Sequence, residues 1–475
     1  MSSTFKRLFG SFLTLILALS FALTASPASA SSDAKSYVII ARDNRLPAKL
    51  AEAVRANGGT ITQAIPEIGV AVATSDNPMF ADSAAKIAGV QAVVLNVTMQ
   101  WLEPNEEQVV GVAVGDASAS GASNPGLALQ WGHTAVAALP AWEADARGAG
   151  VRVAVLDSGI DAEHPDIAPN LNTSLSKSFV SGEQYNIRPG TYFNHGTHVA
   201  GTIAAADNSV GTVGVAPDAE IVAVKVLSEV TGSGSFAGVA AGMVYAAKID
   251  ADIINMSLGG RLPSHRLCFP EGCLSANAVT ELVNMMARAA NYAYQQGTAV
   301  IASAGNSAID RDHDNDQINL PSDLPNVLTI SATGPEGWAR NPNTNLDTPA
   351  FYTNYGQSVI DFAAPGGDVD FSLRPGGVAN RANWPKCTVA GQTNECYVFD
   401  LVYSTISEGW GWAAGTSMAA PHASGVAALI IGQNGGSMHP AQVQAAMQAA
   451  ADDLGKTGKD DFYGNGRVNA VNAVR

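Results

Sequence analysis

Gly415-Thr416-Ser417-Met418-Ala419-Ala420-Pro421-His422 opens the stretch on which the reading of this chain turns. From Met418 to Ile431 the sequence is apolar on nearly every side, and a helix that is apolar all round is one buried in a core. Ser417 then stands at or near the N-terminus of that helix, where N–H groups lack intrahelical partners and the dipole is positive. Such a place suits a nucleophile whose substrate develops an oxyanion. It equally suits a serine that only caps a core helix, so the rest of the chain has to decide.

Upstream, short apolar runs recur at Val151–Leu156, Ile221–Val226, Ile253–Leu258, Ala299–Ala304, Val327–Ala332 and Val359–Ala363. Helical patterns lie between several of them, at His198–Ala206, Phe236–Ile249 and Val279–Gln295, and a further one spans Pro440–Ala451. Strands alternating with helices predict an α/β fold around a mostly parallel sheet buried on both faces. Functional residues in such sheets collect at the carboxyl ends of strands. Asp157 ends the first run, before Ser-Gly, and reads alone as a turn residue. His195 precedes a helix whose Ala200, Gly201 and Ala204 allow close packing, with His198 one turn in and expected to pack or cap. A metal pair of His195 and His198 lacks an accompanying acid or cysteine. Asn306 ends Val300-Ile-Ala-Ser-Ala-Gly-Asn306, either as a Gly-Asn turn or as an amide donor aimed at an oxyanion. Together they supply an acid, a base, an amide donor and a serine. A serine hydroxyl needs such a base within reach, and the base needs a carboxylate to fix its tautomer.

Three motifs then carry a resemblance: Asp157-Ser-Gly-Ile160, His195-Gly-Thr-His-Val-Ala-Gly-Thr202 and Gly415-Thr-Ser-Met-Ala-Ala-Pro-His422. In this order they resemble the subtilisin-like serine proteases, the subtilase family, from about Trp131 to the C-terminus. The resemblance implies a three-layer subtilisin-like fold and a serine endopeptidase with Ser417 as nucleophile, His195 as general base and Asp157 as its partner. Asn306 and the Ser417 backbone N–H would meet the oxyanion. Ser257, Leu258, Gly259 and Gly260 would form the strand that binds an extended peptide, Ser303, Ala304 and Gly305 the opposite wall of the S1 pocket, and Gly234 part of a second lining loop. Peptide would bind by β-augmentation. The loop Ala206–Thr212 resembles the family's calcium loop. Asp166, Asn208 and the carbonyls of Ala206, Val210 and Thr212 would be its ligands, and oxygen donors suit Ca2+. The family's N-terminal glutamine ligand has no clear counterpart. Asp310–Asp316 is a second acidic cluster that could bind calcium, but it lacks the Gly and distal Glu of an EF-hand and reads rather as a solvated loop.

A lipase would want a G-x-S-x-G elbow and the order Ser, acid, His, whereas here the serine comes last. A non-enzymatic scaffold would be expected to have lost one of the three residues.

Ser36–Trp101 reads as a small βαββαβ-like, ferredoxin-like α+β unit, and it resembles the family's inhibitor-type propeptide. Ahead of it, Lys6-Arg7, the apolar run Leu8–Leu23 and Ala28-Ser29-Ala30 make a secretory signal peptide. The expected division is 1–30 signal, 31–102 propeptide, 103–128 a small, polar processed linker, and 129–475 the peptidase. A secreted, autoprocessed monomer is implied, acting on proteins or peptides. No later stretch is long enough to cross a bilayer. With a net charge of −16 and no basic cluster, nucleic acid is excluded as a main partner. The cysteines fall as Cys268/Cys273 and Cys387/Cys396 in two turn-rich insertions, Arg261–Ser275 and Gly367–Leu401. Local disulfides are the simplest of the three connectivities in an exported chain, and the intervals match no usual zinc finger.

Overall fold

The computed structural model describes residues 34–102, 107–110, 124–314, 316–368 and 384–474. The expected signal segment, 1–30, lies outside them. The first unit comprises β1 (Lys35–Ala41), α1 (Leu50–Ala56), β2 (Gly59–Ile65), β3 (Val70–Ser75), α2 (Phe80–Ala84) and β4 (Val90–Leu95). Its sheet is antiparallel in the order β2-β3-β1-β4. Within this βαββαβ order β2 is the strand with no apolar run to mark it, since GTITQAI is largely exposed or half-buried. Successive side chains of a strand face opposite ways, and β1 uses both. Tyr37 and Ile39 pack with Leu50, Val54 and Phe80 of the two helices. Val38 and Ile40 join Val70, Val72 and Val94 against the larger domain. The chain continues as β5 (Thr98–Gln100) and β6 (Glu107–Val110).

The larger domain follows, and the chain already packs on it at Asn124, which is buried, and at Gly126, whose N donates to Gly211 O at 2.7 Å. Next come α3 (Trp131–Ala135), α4 (Ala138–Glu143), β7 (Arg152–Asp157), β8 (Lys177–Ser178), α5 (His195–Ala204) and β9 (Glu220–Lys225). They are followed by β10 (Ser233–Ser235), α6 (Phe236–Lys248), β11 (Ile253–Met256), β12 (Gly260–Pro263), β13 (Leu267–Phe269), β14 (Gly272–Leu274) and α7 (Ala276–Gln296). Then come β15 (Ala299–Ser303), β16 (Gln317–Leu320), β17 (Val327–Gly334), β18 (Thr348–Pro349), β19 (Phe362–Pro365), β20 (Lys386–Val389) and β21 (Gln392–Glu395). The last are β22 (Val402–Ile406), β23 (Gly409–Ala414), α8 (Thr416–Gln433), α9 (Pro440–Ala450) and α10 (Ala470–Ala473).

The central sheet runs β18-β17-β15-β11-β7-β9-β8, with β19 also on β17. Its pairings are parallel except at β18. Val153 and Val155 of β7 face the layer of α5 and α8. Ala154 and Leu156 face α6 and α7. This is the three-layer, doubly covered sheet that near-continuous apolar strands demand. α8 is buried over nearly its whole length. α5 comes so close to β22 that a Cβ on Gly201 would lie 2.1 Å from Thr405 Oγ1.

Among the described residues each cysteine-bearing insertion contains a hairpin, residues 369–383 of the second lying outside them. Cys268 and Cys273 face each other across β13 and β14, with Cα atoms 3.9 Å apart. Cys387 is bonded to Cys396 across 4.8 Å beside β20 and β21. Strand register sets Cys268 opposite Cys273, whereas Cys387 faces Asn394 and is met by Cys396 from just beyond the end of β21. Among the described residues no helix is long and apolar enough to cross a membrane.

Candidate active site

Asp157 ends β7 and His195 begins α5. Asn194 caps that helix: its Oδ1 accepts Thr197 N at 2.8 Å and Thr197 Oγ1 at 2.7 Å. The cap satisfies an orphan donor of the first turn and fixes where His195 points. His195 Nδ1 lies 2.9 Å from both carboxylate oxygens of Asp157. Asp157 is buried, and its Oδ1 also accepts Ser158 N at 2.6 Å. A buried carboxylate persists only with such donors. Because Nδ1 carries the proton given to Asp157, Nε2 is the nitrogen able to take another. The ring lines a cleft of about 290 Å³ together with Ser158, Asn194, Gln100, Leu102 and Gln108.

Ser417 is the second residue of α8. Pro421 stands four positions further along, inside the helix, and proline has no N–H to give to the carbonyl of residue i−4. That carbonyl, Ser417 O, instead accepts Ser257 Oγ at 2.7 Å. Ser257 Oγ accepts Asn255 Nδ2 at 2.9 Å, and Asn255 Oδ1 accepts Ser424 Oγ at 2.8 Å. The start of α8 is thereby tied to the end of β11. Thr416 binds Asn306: its N and Oγ1 donate to Asn306 Oδ1 at 2.8 and 2.7 Å, and its Oγ1 accepts Gly305 N at 3.0 Å. With the oxygen held this way, the NH2 edge of Asn306 is turned away from Thr416.

The predicted peptide strips face the chain's own N-terminal side. β5 pairs antiparallel with β10, Met99 opposite Gly234. Trp101 is fully buried, donates from N to Gly232 O at 3.2 Å and from Nε1 to Gly234 O at 2.9 Å, and accepts Gly259 N at 2.8 Å. Its ring meets Phe236 edge-on at 5.2 Å. Ser303 Oγ donates to Leu258 O at 3.3 Å, joining the two predicted walls. β6 pairs antiparallel with β23, Glu107 opposite Ala414, just ahead of α8.

The predicted metal loop gathers around Asp166, which is fully buried. Asp166 Oδ2 accepts Thr212 N and Trp410 Nε1, each at 2.8 Å, and Asp166 O accepts Ala206 N at 2.7 Å. Asn208 Oδ1 accepts Val210 N at 2.9 Å, while its Nδ2 donates to Pro165 O at 3.0 Å. Asn124 Nδ2 donates to Asp207, and Asn124 Oδ1 is buried without a hydrogen-bond partner among the described residues. Among the described residues no group of three or more His, Cys, Asp and Glu is placed to hold a metal. Of the expected ligands only Asp166 is a carboxylate, the others being amide and backbone oxygens, and the neighbouring Asp207 is paired with Arg147. Asp310 and Asp312 accept N–H groups of their own and a neighbouring loop, and Asp314 pairs with Arg261.

His198 is buried against Val402 O at 3.2 Å, and burial, with His195 nearby, pushes its pKa down to about 3. It is a neutral packing residue. Thr416, Asn255 and Ser424 were missed as supports of the site, since nothing in their local sequence marks hydroxyls and amides that meet only across the fold. A larger pocket, of about 470 Å³, lies among His164, Asn186, Glu408 and Trp410 and contains none of Asp157, His195, Asn306 and Ser417.

The profile described as "Subtilase family" matches residues 148–466. M-protease of Shouchella clausii is 30% identical over 97% of this chain and 97% of its own length. Subtilisin E of Bacillus subtilis is 30% identical over 98% and 97%. Thermitase of Thermoactinomyces vulgaris is 31% identical over 73% and 96%. Among solved structures, the epidermin leader peptide processing serine protease of Staphylococcus aureus superposes with a TM-score of 0.70 at 21% identity, covering 93% of this chain and 98% of that one. That likeness is one of fold.

Proposed function

The chain belongs to the subtilase family and is a serine-type endopeptidase, and from that premise we propose how its residues divide the work. Ser417 Oγ attacks the scissile carbonyl while His195 Nε2 takes its proton. Asp157 holds the imidazole and stabilises the imidazolium. The oxyanion is met by Asn306 Nδ2 and the Ser417 N–H. The intermediate collapses to an acyl-enzyme as His195 gives its proton to the leaving amine, and water then attacks with His195 as base again. The observation that carries this reading is the His195–Asp157 pair, 2.9 Å to both oxygens, opening on the cleft. Substrate pairs as a strand with Ser257–Gly260 and the Gly234 loop, and Ser303–Gly305 closes the S1 pocket.

The protein is secreted as a monomeric zymogen, and unit 31–102 is its inhibitory propeptide. β5 and Trp101 lying on the peptide strips, with β6 on β23, support a self-cleaved bond between Leu102 and Glu107. This narrows the processed region from 103–128. Calcium is carried by the Ala206–Thr212 loop. The all-oxygen set fits it, and the orphaned Asn124 Oδ1 beside Asp207 supplies what the missing glutamine would. The ion would neutralise the buried Asp166 and hold the loop.

The test is intact mass and N-terminal sequencing of wild type beside Ser417→Ala. Wild type is expected to lose everything before residues 103–107 while the variant keeps the propeptide. Identical trimming of both would assign the cut to another protease, and casein hydrolysis would then have to carry the case for Ser417.

A further inference from the structure

Nothing in peptide hydrolysis calls for the hairpin β13–β14. It is inserted between β12, which follows the Ser257–Gly260 strip, and α7, and the Cys268–Cys273 bond closes it. Its turn meets the N-terminal unit. Glu271 Oε1 accepts the backbone N–H of Thr98 at 3.1 Å, and Glu271 Oε2 is buried with no hydrogen-bond partner among the described residues. Gly272 has φ +149°, a backbone conformation that L side chains rarely adopt, and it packs on β4 where a Cβ would lie 2.8 Å from Leu95 Cδ1. Leu267 and Phe269 of the hairpin share an apolar cluster with Leu95, Val97 and Met99. Thr98 opens β5, just upstream of Trp101.

We propose that this hairpin is a clamp that retains the N-terminal unit in the cleft after self-cleavage. The inference rests on the self-cleavage reading above. Once water has split the bond upstream of Glu107 into a carboxylate and an amine, the two pieces are held by non-covalent contacts. Arg288 on Ala41 O (2.9 Å), Gln91 on Glu281 (2.8 Å) and Lys248 paired with Glu67 hold the sheet to α6 and α7. The hairpin acts between sheet and strip, where the chain must turn into the cleft. A charged acceptor on a backbone N–H is a strong bond, and it reads no side chain. The disulfide keeps the short loop folded when the unit is absent, so docking costs little ordering entropy.

The experiment uses the full chain as wild type, Glu271→Ala and Glu271→Gln, the last keeping an acceptor. Self-cleavage is followed by intact mass, and release of the cleft by hydrolysis of a chromogenic tetrapeptide too short to reach Glu271. In Glu271→Ala, cleavage is expected at the wild-type rate while peptidase activity appears about tenfold sooner, the worth of one charge-assisted hydrogen bond. Glu271→Gln should lie between. An unchanged lag overturns the clamp, as does a cleavage rate that shifts by the same factor as the lag. Wild type that never cleaves itself removes the self-cleavage reading, and the clamp with it, and that failure shows in the first time course. In the Ser417→Ala background, Glu271→Ala should speed hydrogen exchange at the Thr98 amide about tenfold. Unchanged protection there also overturns the proposal.

Discussion

Pro421 and Ser257 solve one problem between them. Proline inside α8 leaves Ser417 O without its helical donor, and the Ser257 hydroxyl replaces it at 2.7 Å. A buried carbonyl left bare costs about 1–3 kcal/mol. Ser257→Ala should therefore lower thermal stability by about that amount, and kcat with it, because the start of α8 carries Ser417. Adding Pro421→Ala restores an N–H four residues on and should return part of the loss. Chemical denaturation of the two single variants and the double variant checks this, and strictly additive losses would defeat it. The sequence showed Pro421 and Ser257 plainly. That one answers the other was not legible, because they are far apart in the chain and meet only when β11 and α8 pack.

At the scale of elements, the stretches with the strongest pattern were the ones the sequence placed best. α8 is apolar all round and is buried. β7, β9, β11, β15 and β17 stand within a residue or two of the apolar runs that predicted them. β2 has no apolar run to mark it because its face is half-exposed, and Glu107–Val110 and Asn124-Pro-Gly-Leu-Ala128 are too short to show a period. The Ala206–Thr212 loop is the element whose test is a metal. On the calcium reading, a chelator should lower the melting temperature of the processed protein. The loss would approach about 2.7 kcal/mol where calcium had stood at a hundredfold of its Kd. Asn124→Ala should shrink that calcium-dependent increment and leave the melting temperature in chelator nearly unchanged. A melting curve indifferent to calcium would remove the site.

For the molecule as a whole, the imidazoles of His133, His198 and His422 are sealed away from solvent in its interior. Burial, with His422 nearby, lowers the pKa of His133 to about 3. Burial lowers His198 to about 3 and His422 to about 4. Unfolded, each would bind a proton near its ordinary value of about 6.5. The unfolded state therefore holds more protons between those limits, and stability rises with pH there. It is fully present above about pH 6.5 and is lost progressively as pH falls towards 4. At pH 5 each histidine costs about 2 kcal/mol. Melting temperatures measured from pH 7.5 to 4.5 should fall steeply below pH 6, and His133→Gln should flatten the slope. A flat profile would show that these groups titrate normally.

The sequence by itself determined the alternation of strands and helices, the buried helix behind Ser417, and the order Asp157, His195, Asn306, Ser417 at strand ends and helix starts. These are local facts, set by periodicity and by which residues tolerate a turn. Only the tertiary structure decided which oxygen answers which donor. It set Asn306 on Thr416 and Ser257 on Ser417, and closed one disulfide across its hairpin and the other just beside one. It also laid β5 between Gly234 and Gly259, and Glu271 on Thr98. Those contacts join residues distant in the chain, and their geometry exists only after the sheet's register and the helix packing have brought them within hydrogen-bond distance.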